Sequence, residues 1–279
     1  MDNSKIFNRS LLRKRRNRIA GQWAEYNFLK VEAAGRLVDC LADIAREFPR
    51  ALELGCHRGE LANVLAGGTI VQCDMAEKMH PHVVCDEEFL PFAPDVFDLV
   101  ASVLSLHHVN DLPGSLIQIR EVLKPDGLFI AILPGANTLI ELRHSVTGAA
   151  AEHGFALSPR ISPFVEVRDA GALMQRAGFA LPVINSETIT VNYSSAAKLM
   201  QDLRGMGESN VLSEQYKAFT SANQIAAICD YYHAYFAKED GTIPATFELI
   251  TMTGWKPHSS QQQASGRGSG KVNLGQVFG

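Results

Sequence analysis

The chain has 279 residues, 46% of them hydrophobic and 20% charged, with a formal net charge of −4. That composition belongs to an ordinary soluble globular protein, long enough for one good core and a small subdomain. No apolar run reaches the roughly 18 residues that span a bilayer, and a mostly acidic body argues against a nucleic-acid substrate. Met1-Asp2-Asn3-Ser4-Lys5 leads into no apolar stretch, so no secretory signal is read there and a cytoplasmic protein is expected. Cys40, Cys56, Cys73, Cys85 and Cys229 contain no CxxC pair. Reduced thiols are therefore expected, with neither a disulfide frame nor a zinc site.

Residues 9–20 read as a short basic helix. Arg9, Arg13, Lys14, Arg15, Arg16 and Arg18 fall there with no acid between them. The expected role is a solvated helix face, with contact to a membrane surface, a nucleic acid or an acidic partner as the alternatives. Residues 27–47 carry apolar side chains at helical spacing and predict a helix packed on a sheet. Strands are predicted at 50–54, 69–74, 83–85, 96–103, 128–133, 181–193 and 246–255, the last at a sheet edge. Between them a helix is predicted over 60–66, another over 111–124, mostly helix over 138–178, and helices over 195–206 and 213–237. This alternation predicts an α/β fold: a doubly wound, mostly parallel seven-stranded Rossmann-like sheet with helices on both faces and a helical cap. The expected division is an N-terminal helical segment (1–48), a cofactor-binding core (49–135), substrate-side helices and final strands (136–256), and a flexible tail (257–279).

The organising stretch is Glu53-Leu54-Gly55-Cys56-His57-Arg58-Gly59. A strand ends there, glycines turn the chain, and a helix N-terminus faces whatever lies above. Asp74 ends the next strand, 19 residues beyond Gly55, where an acid accepts ribose hydroxyls. An acid two residues before the first glycine suits a cationic amino acid better than a pyrophosphate, which favours S-adenosyl-L-methionine (SAM) over NAD. The expected cofactor-binding set is Glu53, Gly55, Cys56, His57, Gly59, Asp74, Met75, Asp86, Glu87, Ser102 and Leu104. Phe89 is read either as a cover for the base or as a core aromatic. His107 is the candidate polar group beside the substrate, and Glu141 and Arg143 join it as catalytic candidates on the acceptor side, with Glu208 another acid there. No metal is expected: none of the nine histidines begins an H-x-D/E motif.

The succession ALELGC-xRG, CDEEFLPF, LSLHxVNDLP and LKPDG resembles class I SAM-dependent methyltransferases of the biotin-synthesis type. Beyond the cofactor half, Thr138 to Arg143, Ser158 to Phe164, the Gly205-Met206-Gly207-Glu208-Ser209 block and Gly254-Trp255-Lys256 are similar to the mitochondrial complex I assembly factor 5 family and its bacterial relatives, as is Arg267–Ser269 in the tail. That resemblance implies hydroxylation of an arginine in a complex I iron–sulfur subunit. The alternatives it leaves are malonyl-carrier-protein O-methylation and a non-catalytic assembly protein. No transit peptide is read at the N-terminus, so a bacterial member is expected. His57 stands where that family has glycine, which crowds the methionine end of the cofactor. His108 stands where the family tends to have Trp.

Overall fold

The computed structural model describes residues 5–65, 67–155, 160–213 and 221–262. Ser158, Pro159, Arg267–Ser269, residues 214–220 of the expected helix over 213–237, and most of the expected tail lie outside them.

The helices are α1 (Arg9–Ile19), α2 (Phe28–Ala42), α3 (Leu112–Val122), α4 (Ile140–His153), α5 (Val167–Arg176), α6 (Ala196–Gly205) and α7 (Ala222–Phe236). The strands are β1 (Arg50–Leu54), β2 (Thr69–Asp74), β3 (Val83–Val84), β4 (Phe97–Val103), β5 (Leu123–Pro134), β6 (Ala180–Tyr193) and β7 (Ile243–Trp255). They form one seven-stranded sheet in the order β3-β2-β1-β4-β5-β7-β6. β1 to β5 pair in parallel, whereas β7 runs antiparallel to both β5 and β6.

Strands buried on both faces need apolar residues at nearly every position. On β4, Leu99, Ala101 and Val103 pack toward Ala33, Ala34, Leu37 and Leu41 of α2. Phe97 and Val100 point the other way, toward Leu116 and Ile119 of α3 and Met174 of α5. Asp111 caps α3 by accepting the Gly114 N–H at 2.9 Å. A third cluster joins α4, α6 and α7 to the far ends of β6 and β7, through Leu142, Leu199, Tyr232 and Phe247.

Four expectations change. Residues 57–64 are a run of turns rather than a helix. Glu53 reaches over from β1 to accept the N–H groups of Leu61 and Ala62 at 3.2 and 3.3 Å, satisfying donors that a helix would leave open. β7 is interior, and β6 is the edge. The 138–178 stretch holds two helices, α4 and α5, and residues 160–166 before α5 are not helical. Cys73 and Cys85 are joined in a disulfide, not reduced; β2 and β3 pair side by side and set their Cα atoms 6.1 Å apart.

Candidate active site

The parallel strands deliver their carboxyl ends to one edge of the sheet, where ligands bind in open α/β folds. After β1 the chain turns at Gly55, whose φ is +68°. A side chain there would overlap the Ser105 hydroxyl and come against Glu87, so only glycine lets the turn approach so closely. His57 also sits in the left-handed region, at φ +51°, which accounts for the glycine expected at this position. Its ring stacks on Trp23 with centroids 4.6 Å apart and lies 2.5 Å from the Lys30 ammonium, which also donates to the Gly55 carbonyl at 2.6 Å. Burial, then the charges of Lys30 and Arg16, push the His57 imidazole well below its usual pKa, so it is neutral at pH 7.

Three acids meet beside this turn. Asp74 accepts the backbone N–H groups of His57 (3.0 Å) and Ala76 (2.8 Å). Glu87 accepts the Ser105 hydroxyl at 2.6 Å. The buried Arg16 guanidinium lies between them, 3.6 Å from Asp74, 3.2 Å from Glu87 and 3.0 Å from Ser105 Oγ. Arg9 bonds Glu87 from its other side and reaches Asp86 at 2.5 Å. Burial opposes ionisation of Glu87, but Arg9 and Arg16 more than offset it and bring its pKa down to about 2. The basic helix is therefore not simply a solvated face. Arg9, Arg15 and Arg16 turn inward, Arg15 onto the Asn210 carbonyl, and Arg13, Lys14 and Arg18 remain outside.

Next to the turn lies a cavity of about 80 Å³. Its walls include Trp23, Tyr26, Lys30, His57, Leu104, His107, Phe164 and Glu208. His107 Nε2 is 3.1 Å and His108 Nε2 3.7 Å from the same Glu208 oxygen. Burial works against an ionised Glu208, yet His107, His108 and Arg16 together outweigh it and bring the carboxyl down to about 2.

Of the expected cofactor residues, Gly55, His57, Asp74 and Glu87 converge on one cleft, and Leu104 continues it into the cavity wall. The others have different neighbours. Glu53 bonds the turn backbone. Gly59 packs on Gln72. The buried Cys56 thiol points at the His57 carbonyl. Met75 packs in an apolar cluster with Phe7 and Leu12, and Ser102 donates to the Leu54 carbonyl at 2.8 Å. Asp86 sits at the rim with Arg9, and Phe89 is 74% exposed, neither core nor cover. Among the catalytic candidates His107 lines the cavity. Glu141 instead bonds the Thr246 backbone and hydroxyl, and neither it nor Arg143 lines the cavity. The expectation of no metal meets a cluster it did not foresee, because His107, His108 and Glu208 bring ligand atoms within 4.8 Å of one another. Arg16, Trp23 and Lys30 were missed. The available signal was a cation on an apolar stripe: Arg16 between Leu12 and Ile19, and Lys30 in line with Ala33, Ala34, Leu37 and Leu41.

SAM offers donors throughout: two ribose hydroxyls, an adenine amino group and an ammonium. Asp74 and Glu87 are buried acceptors whose demand is met here by the Arg16 guanidinium, so the residue types fit this cofactor.

A parallel sheet with one antiparallel strand inserted between β5 and β6, and a glycine turn opposite a strand-terminal Asp, defines a class I SAM-dependent methyltransferase. A methyltransferase-domain family matches residues 52–131. The YcgJ protein of Bacillus subtilis superposes with a TM-score of 0.54 at 16% identity, covering 82% of this chain and 99% of that one, which speaks for the fold. Within the class the likeness is narrower. The chain is 44% identical over 287 residues to mouse mitochondrial arginine-hydroxylase NDUFAF5, covering 98% of this chain and 83% of that one, and the human protein gives the same values. The chain belongs to the NDUFAF5 family. Malonyl-[acyl-carrier protein] O-methyltransferase of Halorhodospira halophila is 29% identical, covering 91% of this chain and 90% of that one. The mouse and human relatives are mitochondrial, which overturns the expected cytoplasmic location.

Proposed function

We propose that this chain hydroxylates an arginine side chain of a protein acceptor, a complex I iron–sulfur subunit. The observation that carries this reading is the 44% identity to arginine hydroxylases across 98% of the chain. The cavity agrees with it. A guanidinium is flat and stacks on aromatic faces, and Trp23, Tyr26 and Phe164 are among the walls of the cavity. Such walls orient an acceptor and keep water out, which is how a site of this shape assists a reaction. SAM would be held at the Asp74–Glu87 cleft, and its sulfonium would supply the electrophile for methyl transfer only; hydroxylation would instead place one atom of dioxygen on the arginine and reduce the other to water with two electrons from an external donor. The residues of this chain bind and align around the cofactor.

Mass spectrometry of the iron–sulfur subunit from cells lacking this gene, and from cells with it restored, tests the reading. Restoration is expected to add about 16 Da, one oxygen, to a single arginine. A gain of about 14 Da, one methyl group, would favour methyl transfer, the reading suggested by the O-methyltransferase relative. An unchanged mass would exclude this acceptor.

A further inference from the structure

We propose that His107, His108 and Glu208 form a binding site for one divalent first-row transition metal ion, with iron(II) the ion its ligands fit best. The site stands whether or not an arginine is the acceptor, because it rests on the three side chains themselves.

Local structure brings the ligands together from opposite halves of the chain. His107 and His108 end a short 3-10 turn, Leu106–His108, just beyond the carboxyl end of β4, and their rings lie 4.1 Å apart at 45°. Glu208 arrives from the far side. α6 stops at Gly205, Gly207 turns left-handed at φ +81°, and the Glu208 N–H closes back onto the Leu203 carbonyl at 2.9 Å. That turn points the carboxylate at the two imidazoles.

The distances suit a metal ion. With metal–ligand bonds of about 2.1 Å, neighbouring ligand atoms lie about 3 Å apart and opposite ones about 4 Å. Here the two ring nitrogens are 3.1 and 3.7 Å from one carboxylate oxygen, and the three ligand atoms lie within 4.8 Å of one another. Two imidazoles and one carboxylate on one side of an ion leave its remaining positions open, the arrangement typical of non-haem iron(II). His107 and Glu208 both line the cavity, so the open positions face it.

As a hydrogen-bond network the same cluster is incomplete. Two rings face one carboxylate oxygen, and only His107 is within hydrogen-bond distance of it, at 3.1 Å against 3.7 Å for His108. An ion at the shared point engages all three ligands at once.

The probe is cobalt(II), added without oxygen to the untagged full-length chain and followed by visible absorption and by metal analysis after desalting. A single tightly held equivalent is expected. Glu208→Gln and His108→Phe are each expected to weaken binding at least about 100-fold, beyond the 10–100-fold typical of losing an outer-shell partner. His258→Ala, at an exposed histidine outside the cluster, is expected to change nothing. Far-UV circular dichroism shows whether each variant is folded. Should His108→Phe fail to fold, the near-isosteric Glu208→Gln decides alone. Sub-stoichiometric cobalt in the wild type, or a full equivalent retained by folded Glu208→Gln, would overturn the assignment.

Discussion

Replacing Arg16 by alanine should move fold stability and cofactor affinity in opposite directions. The guanidinium is buried and neutralises Asp74 and Glu87 together. Removing one partner of a buried ion pair costs about 3–5 kcal/mol. The low end applies here, since Arg9 still pairs with Glu87 and two backbone N–H groups still bond Asp74. At about 2–4 °C per kcal/mol for a chain of this size, the ligand-free melting temperature should fall by about 6–12 °C. SAM entering the wild type must break the same contacts before it can use those carboxylates. In Arg16→Ala that cost of about 3 kcal/mol is absent, and affinity should rise by up to about 100-fold. Isothermal titration with SAM and a parallel thermal scan measure both quantities. Weaker SAM binding in the variant would mean that Arg16 holds the cofactor rather than its place, and would refute the argument.

Two other expectations follow from the same cleft. His57→Gly should leave the melting temperature within a few degrees, because relief of a left-handed backbone (about 1–2 kcal/mol) offsets loss of the Trp23 stack (about 0.5–1.5 kcal/mol). It should tighten SAM binding in titration; unchanged affinity would show that the ring already stands clear of the cofactor. Burial opposes ionisation of Glu87, but Arg9 and Arg16 bring its folded pKa down to about 2, below the ordinary value of 4.5. Its stabilising contribution is thus complete above pH 4.5 and is lost as pH falls toward 2. A plot of melting temperature against pH should fall less steeply over that window in Glu87→Gln, and parallel curves would show that Glu87 plays no part in acid unfolding.

Much of the sheet was legible because strands buried on both faces leave unbroken apolar runs, as Leu128 to Leu133 does. The ends of those strands were legible too, since acids in such runs, Asp74 above all, have few places to go but the strand terminus. What escaped depends on contacts distant in sequence. β7 alternates like an edge strand, and only its pairing with β6 shows it to be interior. The expected helix over 60–66 gives way to turns at 57–64, where Leu61 and Ala62 bond a carboxylate on β1 that lies outside the local sequence window. The disulfide needs the register that sets Cys73 beside Val83, which no spacing reveals. Glu208 lies about a hundred residues from His107, and a motif search over histidine neighbours passes it by.

The N-terminal segment does more than deliver Arg16. Asn8 N–H bonds the Val211 carbonyl and Ser213 N–H bonds the Ile6 carbonyl, each at 2.8 Å, while Phe7 and Leu12 pack with Val211 and Leu212. The strap carrying Arg16 is thus stitched to the loop that carries Glu208. Any ligand that lifts Arg16 off Asp74 and Glu87 pulls on the carboxylate facing the two histidines, and whatever fixes that carboxylate resists the lift. The expected consequence is that occupancy of the cleft and of the cavity wall are coupled, and linkage then requires each to alter the affinity of the other by the same factor.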